Sequence, residues 1–235
     1  MTKLMLSIFI LLLSTLSNAQ MFHANTDVYS LSLNAEKAMN VQVTIKTEKS
    51  FCMSRFEFLT DDNEVIFHDE FMMNKEKVIY DVPIASGNYS LIYTGTSGCT
   101  NKHFEISMKK TFGYFEEELN DKVSQATIMK ENYSYIGALQ KPKDEDYYKI
   151  VISKKSNVKL VFKHKVFKGY GSFVIDILDA KSKQIASFSS TVSSLKNIKK
   201  ISLNSGVYFI KVSPTYHCYQ SLKKHKYSLS YSVIK

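Results

Sequence analysis

The sequence predicts an all-β protein built as two tandem β-sandwich units. Three observations carry this. Short segments rich in Val, Ile, Thr, Tyr and Phe alternate apolar and polar residues with period two. No segment sustains a 3.6-residue apolar period between helix caps. The chain also matches itself at an offset of 119 residues, in apolar positions, turns, a glycine and a cysteine.

In order, Val28–Leu33 alternates, and so does Met39–Ile45, with Met39, Val41, Val43 and Ile45 on one face. Phe56–Leu59 runs into the turn cluster Thr60-Asp-Asp-Asn63 and out through Glu64–Phe67, a hairpin signal. Lys77–Val82 and Tyr89–Tyr93 follow, separated by Ser86-Gly87, and His103–Met108 closes this half. Shifted by 119, Leu31 and Leu33 fall on Ile150 and Ile152, Val41 and Val43 on Leu160 and Phe162, and Phe58-Leu59 on Ile177-Leu178. The turn Thr60–Asn63 falls on Asp179–Ser182, Gly87 on Gly206, Tyr89 on Tyr208 and Cys99 on Cys218. No gap is needed from residue 28 to 99, and a four-residue insertion then brings Phe104 and Ile106 onto Tyr227 and Leu229. Two apolar positions miss, Ile45 against His164 and Ile92 against Lys211.

The N-terminus reads as a secretory signal over residues 1–19: a charged start, the apolar run Leu4–Leu16, then Ser17-Asn18-Ala19. The run is shorter than the roughly 20 residues of a spanning helix. Gln20 rather than Cys at the first mature position argues against a lipid-modified N-terminus. The expected compartment is therefore the periplasm or the outside of the cell. The expected units are residues 20–110 and 111–235, each of about six strands, suggesting sandwiches. Cys52 and Cys99 are the favoured disulfide, both in the first half and each next to a predicted strand; a Cys99–Cys218 bridge or one to another chain stays open.

Net charge is +9 and unevenly placed. Residues 20–110 hold nine Lys and Arg against twelve acids, whereas residues 111–235 hold 21 Lys against ten acids. The basic half suits an anionic polymer, or is simply a solvated lysine surface. Arg55 is the only arginine, which argues against dedicated phosphate reading; no nucleic-acid partner is expected.

Between the halves, Thr111–Lys143 is too patterned for a bare linker and is read as supplying an extra strand or two to the second unit. The first unit has only residues 20–27 before its first strand, so no equivalent is expected there. With Glu116-Glu-Glu-Leu-Asn120-Asp121, Ala126, the Gly137 segment, Asp144-Glu-Asp146-Tyr-Tyr148, the hairpin Phe173–Ile185, Ser205-Gly-x-Tyr208 and Tyr227-Ser-Leu-Ser-Tyr231, residues 112–235 resemble the bacterial pre-peptidase C-terminal domain. Residues 20–110 carry the later half of this pattern more weakly, through Asp27, Ser86-Gly87 and Tyr89. The resemblance implies a jelly-roll-like sandwich in each unit. Nothing in the 235 residues reads as a peptidase domain, so no peptidase role is carried over.

Ca²⁺ takes six to eight oxygen ligands. Glu116, Glu118, Asn120, Asp121, Asp144 and Asp146 offer that donor chemistry, and the resemblance implies that these six positions hold calcium. The competing reading is a turn cluster with solvated carboxylates. The first unit keeps only Asp27 and is expected to hold no metal. The six histidines match no zinc spacing and are read as solvated. Tyr170, Tyr208 and Tyr216 could form a half-wet platform for sugar or peptide, although Tyr208 has a core-like counterpart in Tyr89. Lys163, Lys165 and Lys168 lie in a lysine run that is either a contact face or a guarded sheet edge. No Gly-x-Ser-x-Gly, His-Glu-x-x-His or phosphate-binding glycine loop occurs, and no nucleophile has a plausible base. The sequence thus points to an exported, non-catalytic module binding an extracellular or envelope polymer; the alternative is a structural or chaperone-like accessory to another secreted protein.

Overall fold

The computed structural model describes residues 19–23, 28–47, 53–72, 77–95, 103–139, 144–165, 172–191, 193–215 and 226–234. The chain divides into two compact units with the main boundary between Lys110 and Thr111; residues 38–40 and 81–85 group with the second.

The first unit runs through β1 (Ala19–His23), β2 (Val28–Ala35), β3 (Met39–Thr47), β4 (Met53–Thr60), β5 (Val65–Met72), β6 (Lys77–Ile84), β7 (Gly87–Gly95) and β8 (His103–Phe112). They form two four-stranded sheets, β1-β8-β3-β6 and β2-β7-β4-β5, the strand order of a jelly roll. Period-two alternation does what it should: Met39, Val41, Val43 and Ile45 are all buried, as are Tyr89, Leu91 and Tyr93. Phe56, Phe67 and Tyr80 pack ring on ring, with centroids 5.0 to 5.6 Å apart.

The second unit has a 3₁₀ turn at Val123–Gln125, then β9 (Thr127–Ile128), β10 (Ser134–Ala138), β11 (Asp146–Ile152), β12 (Ser156–His164), β13 (Ser172–Asp179), β14 (Gln184–Thr191), β15 (Lys196–Leu203), β16 (Gly206–Pro214) and β17 (Lys226–Ile234). Its sheets are β10-β17-β12-β15 and β14-β13-β16-β11-β9. The core lies between them, built on Tyr148, Ile150, Leu160, Phe162, Phe173, Ile175, Ile210 and Leu229.

The duplication is visible strand by strand. Moved by 119 residues, β4, β5, β6 and β7 coincide end to end with β13, β14, β15 and β16. The β4–β5 pairing slips at Phe58/Leu59 and the β13–β14 pairing at Ile177/Leu178. Both hairpins turn through a residue at positive φ, Asn63 at 60° and Ser182 at 61°. Both close on the same backbone bond, Thr60 N–H to Glu64 O and Asp179 N–H to Lys183 O, each 2.9 Å.

The two mismatched positions have separate explanations. Ile92 lies between the buried Leu91 and Tyr93 on the outer face of β7, so apolarity was never required there. Lys211 takes the same outer position and lies 3.4 Å from Glu145 and 3.5 Å from Asp176. The Ile45–His164 mismatch is one of register: β2 and β3 match β11 and β12 at 117 rather than 119, so the ungapped alignment from residue 28 does not hold and Ile45 answers to the equally buried Phe162. His164 is itself buried. The expectation of solvated histidines fails at this residue: its Nε2 lies 2.9 Å from Ser190 Oγ and its Nδ1 2.8 Å from the Lys165 carbonyl, so the ring's polar atoms are satisfied inside. The first unit also has the strand for which residues 20–27 seemed too short. β1 pairs with β8 from Ala19↔Ser107 to His23↔His103, as β10 pairs with β17. Among the described residues no helix is long and apolar enough to cross a membrane. The leader segment 1–18, Asp27 and all three cysteines lie outside the described residues.

Ser-Gly-x-Tyr marks the register in both units for a backbone reason. Gly87 and Gly206 sit at φ 153° and 156°, a region residues with a Cβ avoid. Space is not the limit, since a Cβ would lie 3.5 Å from the Tyr89 hydroxyl and 3.8 Å from the Tyr208 ring. Gly87→Ala and Gly206→Ala should each destabilise their unit by about 1–3 kcal/mol in urea denaturation, the range for such backbone strain; unchanged midpoints would show that the turn relaxes freely.

Candidate metal centre

Along β11 and the residues before it, the inward positions are Asp144, Asp146, Tyr148, Ile150 and Ile152. The alternation that buries the core residues therefore buries two aspartates at the head of the strand. The segment after β8 alternates in the same way and turns Glu116, Glu118 and Asn120 inward, with Glu117 exposed. Its backbone is fixed on both sides. The Glu116 N–H donates to Ile136 O at 3.0 Å and the Ile136 N–H to Tyr114 O at 2.9 Å, laying the segment parallel to β10. The Glu117 N–H donates to Thr127 Oγ1, and the Tyr147 N–H to Asn120 O at 3.0 Å, which ties it to β11.

Glu116, Asn120, Asp144 and Asp146 are 0 % exposed and Glu118 is 4 % exposed. The reading as solvated turn carboxylates is therefore overturned. Oxygens of Glu116, Glu118 and Asp146 lie within 4.8 Å of one another, as do those of Glu118, Asp144 and the half-buried Asp121. Glu118 belongs to both groups, so the structure joins the five predicted carboxylates into one cluster. Asn120 is buried in the same segment; its amide Nδ2 donates to Thr127 Oγ1 at 3.5 Å, and its Oδ1 receives no hydrogen bond. Asp146 Oδ1 is buried and likewise without a donor.

Glu116 is the anchor. Its Oε1 accepts the Ala138 N–H at 2.7 Å, and its Oε2 accepts the hydroxyls of Tyr148 at 3.1 Å and Tyr227 at 3.2 Å. Tyr148 stands on β11 and Tyr227 on β17, one in each sheet, and their hydroxyls are 2.8 Å apart. The single Tyr227 proton is shared between Glu116 Oε2 and Asp146 Oδ2, so the hydroxyl bridges the two carboxylates. One carboxylate thus binds both layers of the sandwich. Gly137 is what lets it in: a Cβ there would lie 2.5 Å from Glu116 Oε2, from the Tyr148 hydroxyl and from Tyr227 Cζ.

Burial, then the neighbouring Glu118 and Asp144, pushes the Glu116 carboxyl well above the usual carboxylate range, against the pull of the Ala138 N–H. Burial, then Glu116 and Asp144, does the same to Asp146. Two ionised carboxylates under 5 Å apart repel by about 3–4 kcal/mol at an effective dielectric near 20. Such a cluster is relieved by taking up protons or by a cation. The donors are all oxygen, carboxylates with an amide carbonyl, the set a hard divalent ion prefers over zinc or copper. Orphaned buried oxygens on Asn120 and Asp146 fit calcium, which accepts many ligands in flexible geometry.

The other predicted contacts are placed less coherently. Lys163 and Lys165 are exposed at the end of β12. Tyr208 is half-buried, with its hydroxyl donating to Asn204 O at 3.2 Å. Lys168, Tyr170 and Tyr216 lie outside the described residues, as do Cys52 and Cys99. Sequence reasoning missed Tyr148, Tyr227 and Gly137 as parts of the centre. The alternation through Asp144, Asp146 and Tyr148 was the available signal for the first of these.

No family model matches the chain, and no characterised protein matches it in sequence. Solved structures with some likeness include the glycosylasparaginase PNGase F from Flavobacterium meningosepticum, at 7 % identity and TM-score 0.34, covering 93 % of this chain and 100 % of that one. The M60 catalytic domain of Clostridium perfringens ZmpB with its two CBM51 domains shows 9 % identity and TM-score 0.32 over 92 % of this chain, which spans only 34 % of that protein's length. The PBSX exported protein XepA gives 9 % identity and TM-score 0.31, covering 92 % and 85 %. Likeness this slight carries no argument about what the chain does.

Gly137→Ala should cost about 1–3 kcal/mol or more, as overpacking does, because three rigidly held groups block the new methyl. In metal-free solution the pH trend is fixed by sign. Carboxyls held above their unfolded value of about 4 stabilise the fold most below that pH, and the contribution is lost as pH rises through the raised value. The melting temperature of the second unit in chelator should therefore fall as pH rises above about 4; a flat or rising profile would mean that the carboxyls ionise without cost.

Proposed function

We propose that this chain is an exported, non-catalytic binding protein whose second unit is a calcium-stapled sandwich of the pre-peptidase C-terminal kind, contacting an extracellular or envelope polymer. One observation carries the calcium reading: five carboxylates and an amide converge at one end of the second sandwich, with buried oxygens on Asn120 and Asp146 that no protein donor satisfies. Glu116, Glu118, Asn120, Asp144 and Asp146 would hold the ion from inside, with Asp121 at the rim. Bound calcium would supply the positive charge that lets the buried carboxylates ionise together. Glu116 keeps Tyr148 and Tyr227 oriented, so the ion's neighbours are positioned by both sheets. The role is structural: it fixes the connecting segment against β11 and leaves the outer faces of the sandwich for contact.

Calorimetric titration of the mature chain with calcium at neutral pH should show one site per chain. Asp146→Asn and Asn120→Ala should weaken it by about tenfold or more, since each removes a buried ligand oxygen. Asp121→Ala, at the half-exposed rim, should cost less. Saturating calcium should also cancel the fall in melting temperature with rising pH. Absence of both heat and any thermal shift would overturn the reading.

A further inference from the structure

We propose that the outer face of the sheet β10-β17-β12-β15 is the polymer-contact surface, and that its occupant is a linear anionic polysaccharide bearing sulfate or carboxylate groups. The proposal rests on the binding-module reading above and gives it a place and a substrate class. Register defines the face. Lys163 lies directly opposite Lys196 and Lys159 opposite Lys200, with Val161 and Ile198 between the two pairs. On the other side of β12, the same three rows continue into Ser228, Ser230 and Ser232 of β17. Lys163, Lys196 and Lys200 are exposed and Lys159 is half-exposed. Among the described residues none of these four lysines has an ion-pair partner, and no Asp or Glu occupies an outward position on β10, β12, β15 or β17.

Like charges set directly opposite across two strands destabilise a sheet. Two such pairs side by side therefore need a reason outside stability. The guarded-edge reading does not supply it, because β12 is an inner strand and only β15 is at the edge. Edge protection is visible separately in Lys199, whose partner Leu160 places it on the inward face of β15. The duplicated unit is an internal control. β3 matches β12 at an offset of 117 and β6 matches β15 at 119, so the counterparts of Lys159 and Lys200 there are Gln42 and Asp81. The fold thus does not demand two lysines at that pair, whereas Lys163 and Lys196 correspond to Lys46 and Lys77.

The face selects among anions. The lysine pairs lie four residues apart along β12, about 13 Å at strand rise. That spacing suits a linear chain with repeating charges rather than a single small anion. Its donors are lysine ammonium groups and serine hydroxyls, with no arginine fork for bidentate phosphate and no aromatic ring on which a base could stack. Nucleic acid is therefore disfavoured against a sugar polymer.

The test is binding of the calcium-loaded mature chain to heparin, hyaluronan, neutral dextran and single-stranded poly(dT), measured by calorimetry at two salt concentrations. Heparin or hyaluronan should bind with salt-sensitive affinity, and which of them binds tells sulfate from carboxylate. The double variant Lys163→Ser/Lys196→Ser should weaken binding by about tenfold or more. Its melting temperature should be unchanged or raised, because a repulsive pair is removed. The charge-matched control Lys154→Ser/Lys155→Ser, in the turn before β12, should bind as the wild type does. Equal losses in both variants would reduce the effect to net charge and overturn the proposal, as would poly(dT) binding as tightly as heparin. Calcium binding with no anionic polymer bound sinks this inference and leaves the metal reading standing; polymer binding without calcium does the reverse.

Discussion

The second unit depends on a carboxylate placed where a sandwich ordinarily has only hydrocarbon. Glu116 is fully buried, yet it is the group on which tyrosines from both sheets and a backbone N–H of β10 converge. A buried charge without compensation is too costly to keep. Three hydrogen bonds offset part of that cost, but Glu118, Asp144 and Asp146 crowd the same space and add to it. The local structure follows from managing this charge. Gly137 leaves the room, the Glu116–Ile136 bonding fixes the approach of the connecting segment, and the head of β11 brings the aspartates.

Duplication shows how one architecture was put to two uses. The strands repeat in the same order, and β4 to β7 with their bulge and positive-φ turn repeat at one offset, so the jelly-roll frame does not depend on the acidic centre. The first unit has the same outer strand, β1, without the acidic segment. Its core includes the packed rings of Phe56, Phe67 and Tyr80. The acidic centre and the Lys159–Lys200 pair both belong to the second unit, one inside and one outside.

Much of the frame was legible in the chain because alternation and turn chemistry are local. Met39 to Ile45, the Thr60–Asn63 turn and the Ser-Gly-x-Tyr register are all set within a few residues. What was not legible depended on partners distant in sequence. Tyr227 is 111 residues from Glu116, and no spacing rule connects them. Gly137 looked like an ordinary strand glycine, since its requirement comes from three side chains brought in by other elements. His164 read as polar, hence solvated, because Ser190 could not be seen beneath it. The lysine run was visible, but its pairing with Lys196 and Lys200 exists only once β12 lies beside β15. For the acidic residues, composition suggested the chemistry and the strand period could have shown their burial.

The most direct test of the central claim is a crystal structure of the mature chain grown with calcium and with terbium in its place. The account predicts a single ion in the second unit, at about 2.3–2.6 Å from Asn120 Oδ1, Asp146 Oδ1 and oxygens of the neighbouring carboxylates, with an anomalous peak for terbium at the same point. An empty centre at high calcium, with the carboxyls hydrogen-bonded to one another through shared protons, would contradict it.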